Sequence, residues 1–272
     1  MSKHMPVVMT IAGSDSGGGA GIQADLKTFE ALKVFGTSAI TASIAQNTID
    51  VTAIEPVTPA MMRAQLDALF DDFELAAIKI GVLGTVELLA CVRERLQVRW
   101  KGEVVLDSVM VSTSGRALAP TAIADALWQQ LIPQAALVTP NMPKAEVLLG
   151  ASIPCTAQGM KKAALALHRR GMKRVLLKGG HLPHGPAIDL FVNQSGRAHV
   201  LNSTRIATFN THGTGCVLSA AITALRAHGL PWLDAITQAK RFLSEALEAG
   251  RQTRISKGHG ACLLHVPHYV LL

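Results

Sequence analysis

Aromatic residues make up only 4% of this 272-residue chain, with a single tyrosine and three tryptophans. Their scarcity speaks against an all-β sandwich. An interior filled by Ala, Leu and Ile suits helices packed on a parallel sheet. Charged residues are also sparse, 17% against 49% hydrophobic, which excludes a disordered chain. Cys91, Cys155, Cys216 and Cys262 form no C-x-x-C pair, which argues against a zinc ribbon and for a reducing compartment. No uncharged apolar run reaches the roughly 18 residues of a membrane span. The best candidate, Leu75 to Val92, carries Lys79 and Glu87. Met1–Pro6 is too short for a signal peptide, so a soluble, cytoplasmic protein is expected, with no membrane partner. No glycine is followed by lysine, so there is no Walker A loop.

The formal net charge is +7. That invites a nucleic-acid reading. The basic residues are scattered, however. Lys161-Lys162 and His168-Arg169-Arg170 read as solvated helix faces without interleaved aromatics. No nucleic-acid partner is therefore expected. A basic surface fits an anionic small substrate instead.

Apolar runs alternate with amphipathic ones, without repeats or a low-complexity linker, so residues 1–272 read as one domain. Strands are expected at Val7–Ala12, Ser38–Ala45, Ala76–Val82, Val104–Asp107, Ala136–Val138 and Arg174–Lys178, with an antiparallel pair at Asp189–Asn193 and His199–Asn202. Helices are expected at Ile22–Lys33, Pro59–Phe70, Val86–Val98, Thr121–Leu131, Gln158–Arg170, Gly215–His228 and Trp232–Ala249, and one starts at a proline around Ala145–Leu149. This is an α/β pattern with a mainly parallel central sheet and helices on both faces. In such a sheet the ligand lies beyond the carboxyl ends of the strands.

Two strand-to-helix turns stand out there. Gly13-Ser14-Asp15-Ser16-Gly17-Gly18-Gly19-Ala20-Gly21 has more glycine than a plain turn needs and lets backbone approach a ligand. Gly19 to Ala24 fits the G-x-G-x-x-A dinucleotide fingerprint, but the next strand ends in Gln46-Asn47 rather than the required acid. The second turn is Asn210-Thr211-His212-Gly213-Thr214-Gly215-Cys216, before an apolar helix. Its successive N–H groups make an anion nest at the positive end of a helix dipole, suited to charge growing on a transferring phosphoryl group. Cys216 at the helix start is expected to have a lowered thiol pKa. The pairs His181/His184 and His265/His268 lack a third ligand and read as loop or surface residues.

With these turns in view, the sequence resembles the hydroxymethylpyrimidine/phosphomethylpyrimidine kinases of thiamine biosynthesis, in the ribokinase-like superfamily. The resemblance is carried by Thr10 to Asp25, Ala45-Gln46-Asn47-Thr48, Val109-Met110-Val111 with Ser114-Gly115, Thr139-Pro140-Asn141, Leu177-Lys178-Gly179-Gly180-His181 and Thr211 to Cys216, with a weaker Gly258-His259-Gly260. It implies a three-layer α/β/α fold and ATP with Mg2+ as cofactors. It also implies two phosphorylations, of 4-amino-5-hydroxymethyl-2-methylpyrimidine and then of its monophosphate, in a homodimeric enzyme.

The resemblance also implies roles. Gln46 would read the aminopyrimidine edge through its amide. Asp25 would contact the ring's polar groups, or simply favour the helix start electrostatically. Gly13, Ala20, Val82 and Val109 would form the edge and walls of the pocket, Val82 having a plain core reading as well. Cys216 occupies the place of the superfamily's base, as proton acceptor or as a positioning group, with Gly213, Thr214 and Gly215 as its anion nest. Lys178, Asn141 and Thr211 would serve the phosphates, and Asp107 would act toward Mg2+.

Three positions depart from the pattern. The magnesium-associated N-x-x-E reads Asn141-Met142-Pro143-Lys144, which reverses a charge; Glu146 falls about 200° round a helix and is a poor substitute. Lys144 can touch a phosphate directly as a point charge, and weaker magnesium dependence or slower turnover is expected. Ser108 stands for the usual Pro, and Val217 for Thr. Alternatives are a pyridoxal kinase and a ligand-binding homologue weakened in catalysis.

Overall fold

A computed structural model describes residues 5–107, 122–180 and 186–264. Val109, Ser108, Ser114-Gly115 and the four histidines set aside above lie outside these residues. The described chain forms β1 (Val7–Asp15), α1 (Gly21–Ala31), β2 (Phe35–Gln46), β3 (Val51–Pro56), α2 (Pro59–Asp72), β4 (Leu75–Ile80), α3 (Val86–Arg99) and β5 (Glu103–Leu106). After these come α4 (Ala122–Ala126), β6 (Leu137–Val138), α5 (Met142–Leu149), α6 (Ala157–Arg169), β7 (Val175–Lys178), β8 (Ala187–Val192), β9 (Ala198–Ser203), α7 (Thr214–Ala227) and α8 (Trp232–Ala249).

One sheet holds the strands in the order β3-β2-β1-β4-β5-β6-β7-β8-β9. The stretch from β2 to β7 is parallel. β3 and the β8–β9 hairpin add antiparallel edges. Alternate residues of each central strand feed opposite cores, as a doubly covered sheet requires. Met9, Ile11, Ile78, Ile80, Val104 and Leu106 face α2 to α6. Val8, Ala77, Val105 and Leu176 face α1, α7 and α8. No helix of the described residues is long and apolar enough to cross a membrane.

The differences from expectation have local causes. β1 runs on to Asp15 through a register shift between Ala12 and Ser14, which carries the glycine turn further out. β3 was not foreseen: only Val51 is buried along it, so it shows no alternation to read. α5 starts at Met142, three residues early, because the Asn141 side chain accepts from the Lys144 N–H and caps it, and Pro143 fits the first turn. The helix expected at Thr121–Leu131 ends in a π turn over Leu127–Leu131, closed by the Ile132 N–H on the Leu127 carbonyl.

The order in which strands are added reverses at β1, which has the parallel β2 on one side and the parallel β4 on the other. The carboxyl ends of β1, β4 and β5 therefore open the crevice in which ligands of such sheets bind. Beneath it lies a buried ion pair. Thr10 and Lys79 are register partners on β1 and β4, and both meet Asp25 of α1. Lys79 Nζ lies 2.7 Å and Thr10 Oγ1 2.6 Å from Asp25 Oδ2, and Lys79 and Asp25 are both fully buried. Burial alone would discharge Lys79; the adjoining Asp25 carboxylate, helped by Asp107, outweighs it and holds the ammonium above its usual range. Lys79→Met leaves a buried carboxylate without its partner and is expected to lower stability by about 3–5 kcal/mol in urea unfolding, with Lys79→Met/Asp25→Leu recovering most of it. A loss below about 1 kcal/mol in the single variant would show that the pair does not hold α1 to the sheet.

Candidate active site

The first turn is organised by Asp15, 2% exposed at the end of β1. Its Oδ1 accepts from the Gly17 N–H at 2.8 Å, and Oδ2 from Gly19 at 3.1 Å and Ala20 at 2.8 Å. His212 Nε2 is 2.9 Å from the same Oδ2; since a carboxylate can only accept, Nε2 carries the proton. Burial pushes the Asp15 carboxyl up, but His212 and the loop N–H groups outweigh it and hold it below its usual range. His212 thus ties the second turn to the first.

The two turns touch. Gly213 has φ 78° and caps α7, and a Cβ there would lie on the Gly19 carbonyl oxygen. Only glycine satisfies both the angle and the approach. Gln46, at the end of β2, brings its amide nitrogen within 3.4 Å of His212 Nε2. A segment beyond α8 joins them: the Gly260 carbonyl accepts from the His212 N–H at 3.0 Å, and the His259 N–H reaches the Thr48 carbonyl at 3.0 Å.

Across the crevice, Asp107 follows β5 and is 1% exposed. Lys144 Nζ lies 3.2 Å and Lys178 Nζ 3.4 Å from its Oδ1, while Oδ2 is buried with no hydrogen-bond partner among the described residues. Burial would raise this carboxyl, but Lys144, Lys178 and Lys79 together hold it far below the carboxylate range. Burial lowers Lys178 in turn, against the pull of Asp107. The first turn of α7 sits directly above: a Cβ at Gly215 would be 3.3 Å from both Asp107 Oδ2 and Lys178 Nζ. The amide end of a helix, two ammoniums and one carboxylate therefore share one spot, a setting for a phosphoryl group.

The sequence of this chain matches the family described as phosphomethylpyrimidine kinase over residues 15–262. The chain belongs to the phosphomethylpyrimidine kinase family. A Rhizobium meliloti hydroxymethylpyrimidine/phosphomethylpyrimidine kinase is 47% identical over 93% of this chain and 95% of its own length. A solved Clostridium difficile phosphomethylpyrimidine kinase superposes with a TM-score of 0.78 at 38% identity, covering 89% of this chain and 99% of its own. The Staphylococcus aureus pyridoxal kinase, solved with AMP-PCP and pyridoxal, gives a TM-score of 0.88 at 30% identity over 98% of this chain and 96% of its own. The fold is the ribokinase-like α/β/α fold of these kinases.

Within this chain the structure brings Asp107, Lys178 and Gly215 to one end of the crevice, and Ala20, Gln46 and Gly213 to the glycine turns, where the Cys216 thiol meets the Gly21 N–H. Gly13 sits against Ile44, in the small apolar cluster of Ala42, Ile44, Val51 and Val82. Thr211 and Thr214 build the turn itself, the Thr214 N–H reaching the Thr211 carbonyl.

Three expectations change. Asp25 is fully buried against Lys79 and Thr10, beneath the crevice rather than open to it. The Cys216 thiol is raised, not lowered: burial dominates, Asp25 and Asp107 add to it, and Lys79 and the Gly21 N–H oppose it insufficiently. Finally, Asp107 does not fit a directly bound Mg2+. Two ammoniums take one of its oxygens, and the described residues offer no group of three His, Cys, Asp or Glu able to hold an ion. Sequence reading missed Asp15, His212 and Lys79 as site-forming residues. A lysine in the strand Ala76-Ala77-Ile78-Lys79-Ile80 and an aspartate at the brink of a glycine run were the available signals.

Iodoacetamide labelling resolved by peptide mass spectrometry checks the thiol. Exposed Cys155 is expected to react first at neutral pH, and Cys216 to keep accelerating above the ordinary thiol range near pH ~8.5. Fastest labelling of Cys216 at neutral pH would overturn its raised pKa.

Proposed function

We propose that this chain transfers a phosphoryl group from ATP to the hydroxymethyl group of 4-amino-5-hydroxymethyl-2-methylpyrimidine, and a second to the resulting monophosphate. The observation that carries this reading is the meeting of Lys178, Lys144 and the α7 amide end over Asp107, with the Gln46–His212 turn opposite. Phosphoryl transfer needs mainly alignment and charge neutralisation. Lys178 neutralises phosphate charge. The N–H groups of the Gly213-Thr214-Gly215 turn hold oxygens of the transferring group. Gln46 offers a donor and an acceptor to the aminopyrimidine edge, and the Ala42, Ile44, Val51, Val82 cluster packs beside it.

With its pKa raised, Cys216 positions the alcohol as a protonated thiol; the alcohol oxygen bonds to the γ-phosphorus as the bond to the ADP oxygen breaks, and the hydroxyl proton passes late to an oxygen of the transferred phosphoryl group, as a loose transition state permits. Magnesium, carried as part of the ATP substrate, would add to the charge neutralisation that Lys178 and the α7 turn supply. A homodimer remains part of this proposal, as does a single kinase domain.

The Staphylococcus aureus likeness supports a second reading, a kinase acting on pyridoxal. ADP release coupled to product mass spectrometry, with the pyrimidine, its monophosphate and pyridoxal offered separately, decides between them. Turnover of both pyrimidines with pyridoxal slower is expected; pyridoxal alone would reverse the order. Lys178→Met is expected to lower kcat/KM by about a hundredfold to a thousandfold. Cys216→Ser is expected to stay within about tenfold, since positioning by hydrogen bond survives that change. A loss at Cys216 as large as that at Lys178 would return it to the role of base.

A further inference from the structure

The transfer as described gives parts to Lys178 and the α7 turn, and none of its own to Lys144, which shares their site. It stands in the first turn of α5, and its ammonium turns back to Asp107 Oδ1 at 3.2 Å, with Lys178 Nζ 3.4 Å from the same atom. Both lysine side chains are nearly buried, 11% and 13% exposed. Lys79 and Asp25 cancel one another in their own contact. The raised thiol of Cys216 contributes no charge near neutral pH. One carboxylate is thus left facing two ammoniums, an uncompensated positive charge at the amide end of α7. A second acid does not relieve it: Glu146 turns away and accepts from the Ile153 N–H at 2.8 Å. A divalent cation placed here would meet two ammoniums and one buried carboxylate oxygen, where Mg2+ wants an octahedral shell of oxygens. An anion meets the reverse.

We infer that Lys144 is a tethered cation for the phosphates of the nucleotide, standing where a carboxylate-held metal would otherwise supply the charge, so that this chain binds ATP without magnesium. Asp107 keeps the two ammoniums in place while the crevice is empty, and the phosphates then draw Lys144 and Lys178 toward themselves. The inference rests on the nucleotide of the proposed function, but not on which alcohol is phosphorylated.

Titration calorimetry of the full chain with ATP, in excess EDTA and in saturating MgCl2, tests it. The wild-type dissociation constant is expected to agree within about threefold between the two buffers. Lys144→Met is expected to weaken metal-free binding about tenfold and Lys144→Glu about a hundredfold, with magnesium recovering most of the loss in Lys144→Glu. Lys144→Arg keeps the wild-type pattern. A wild-type protein that needs magnesium for more than about tenfold of its affinity overturns the inference, as do Lys144→Met and Lys144→Glu variants that bind metal-free ATP as the wild type does. Thermal unfolding identifies a variant that fails to fold, and the wild-type pair of buffers decides the matter without it. Failure to bind ATP in either buffer removes the kinase reading itself, whereas binding without pyrimidine turnover removes only the pyrimidine.

Discussion

The site depends on the contact between two strand-to-helix turns that are nearly two hundred residues apart in sequence. Asp15 and His212 meet at 2.9 Å, and Gly213 leaves just enough room for the Gly19 carbonyl. Asp15 is also the acceptor that shapes the glycine turn, through three N–H groups. One buried carboxylate therefore fixes both the local conformation of the first turn and its distance from the second. The start of α7, and so the direction of its amide end, follows from that contact. A buried polar group shared in this way is demanding, since each donor lost leaves the charge less compensated.

The charges are arranged in two tiers. Below the crevice, Lys79 and Asp25 neutralise each other and hold α1 to β4. Above them, Asp107 faces two ammoniums and carries the imbalance. The lower pair has an architectural role and the upper set a chemical one, although the same two residue types make both. Their distance from bulk water lets the imbalance act on a ligand with little screening. The raised thiol of Cys216 comes from the same setting, because desolvation, with Asp25 and Asp107 beside it, outweighs Lys79 and the Gly21 N–H.

Much of the architecture was legible in the sequence. Short apolar runs alternating with amphipathic ones gave the parallel strands, and the two glycine turns marked where the crevice opens. β3 was not legible because five of its six residues avoid full burial. The start of α5 was missed because its cap, Asn141, had been assigned to a ligand. The electrostatic details were not legible either. Nothing in the order of residues says that Lys79 reaches Asp25, or that Lys144 folds back on Asp107; both are contacts between distant elements. Asp25 and Cys216 were placed in the right neighbourhood, but their environments could be judged only once burial was known.

The segment around Gly258–Ala261 has a consequence for how the molecule is made. Its backbone joins the Thr48 turn and the His212 turn, clasping the crevice from the side. A chain that leaves the ribosome N-terminus first can build β1, β2 and the glycine turn early, yet it has no clasp until the segment beyond α8 has been synthesised. The crevice is therefore half-assembled while α2 to α8 are being made, and its side closes only after both turns and α8 are in place.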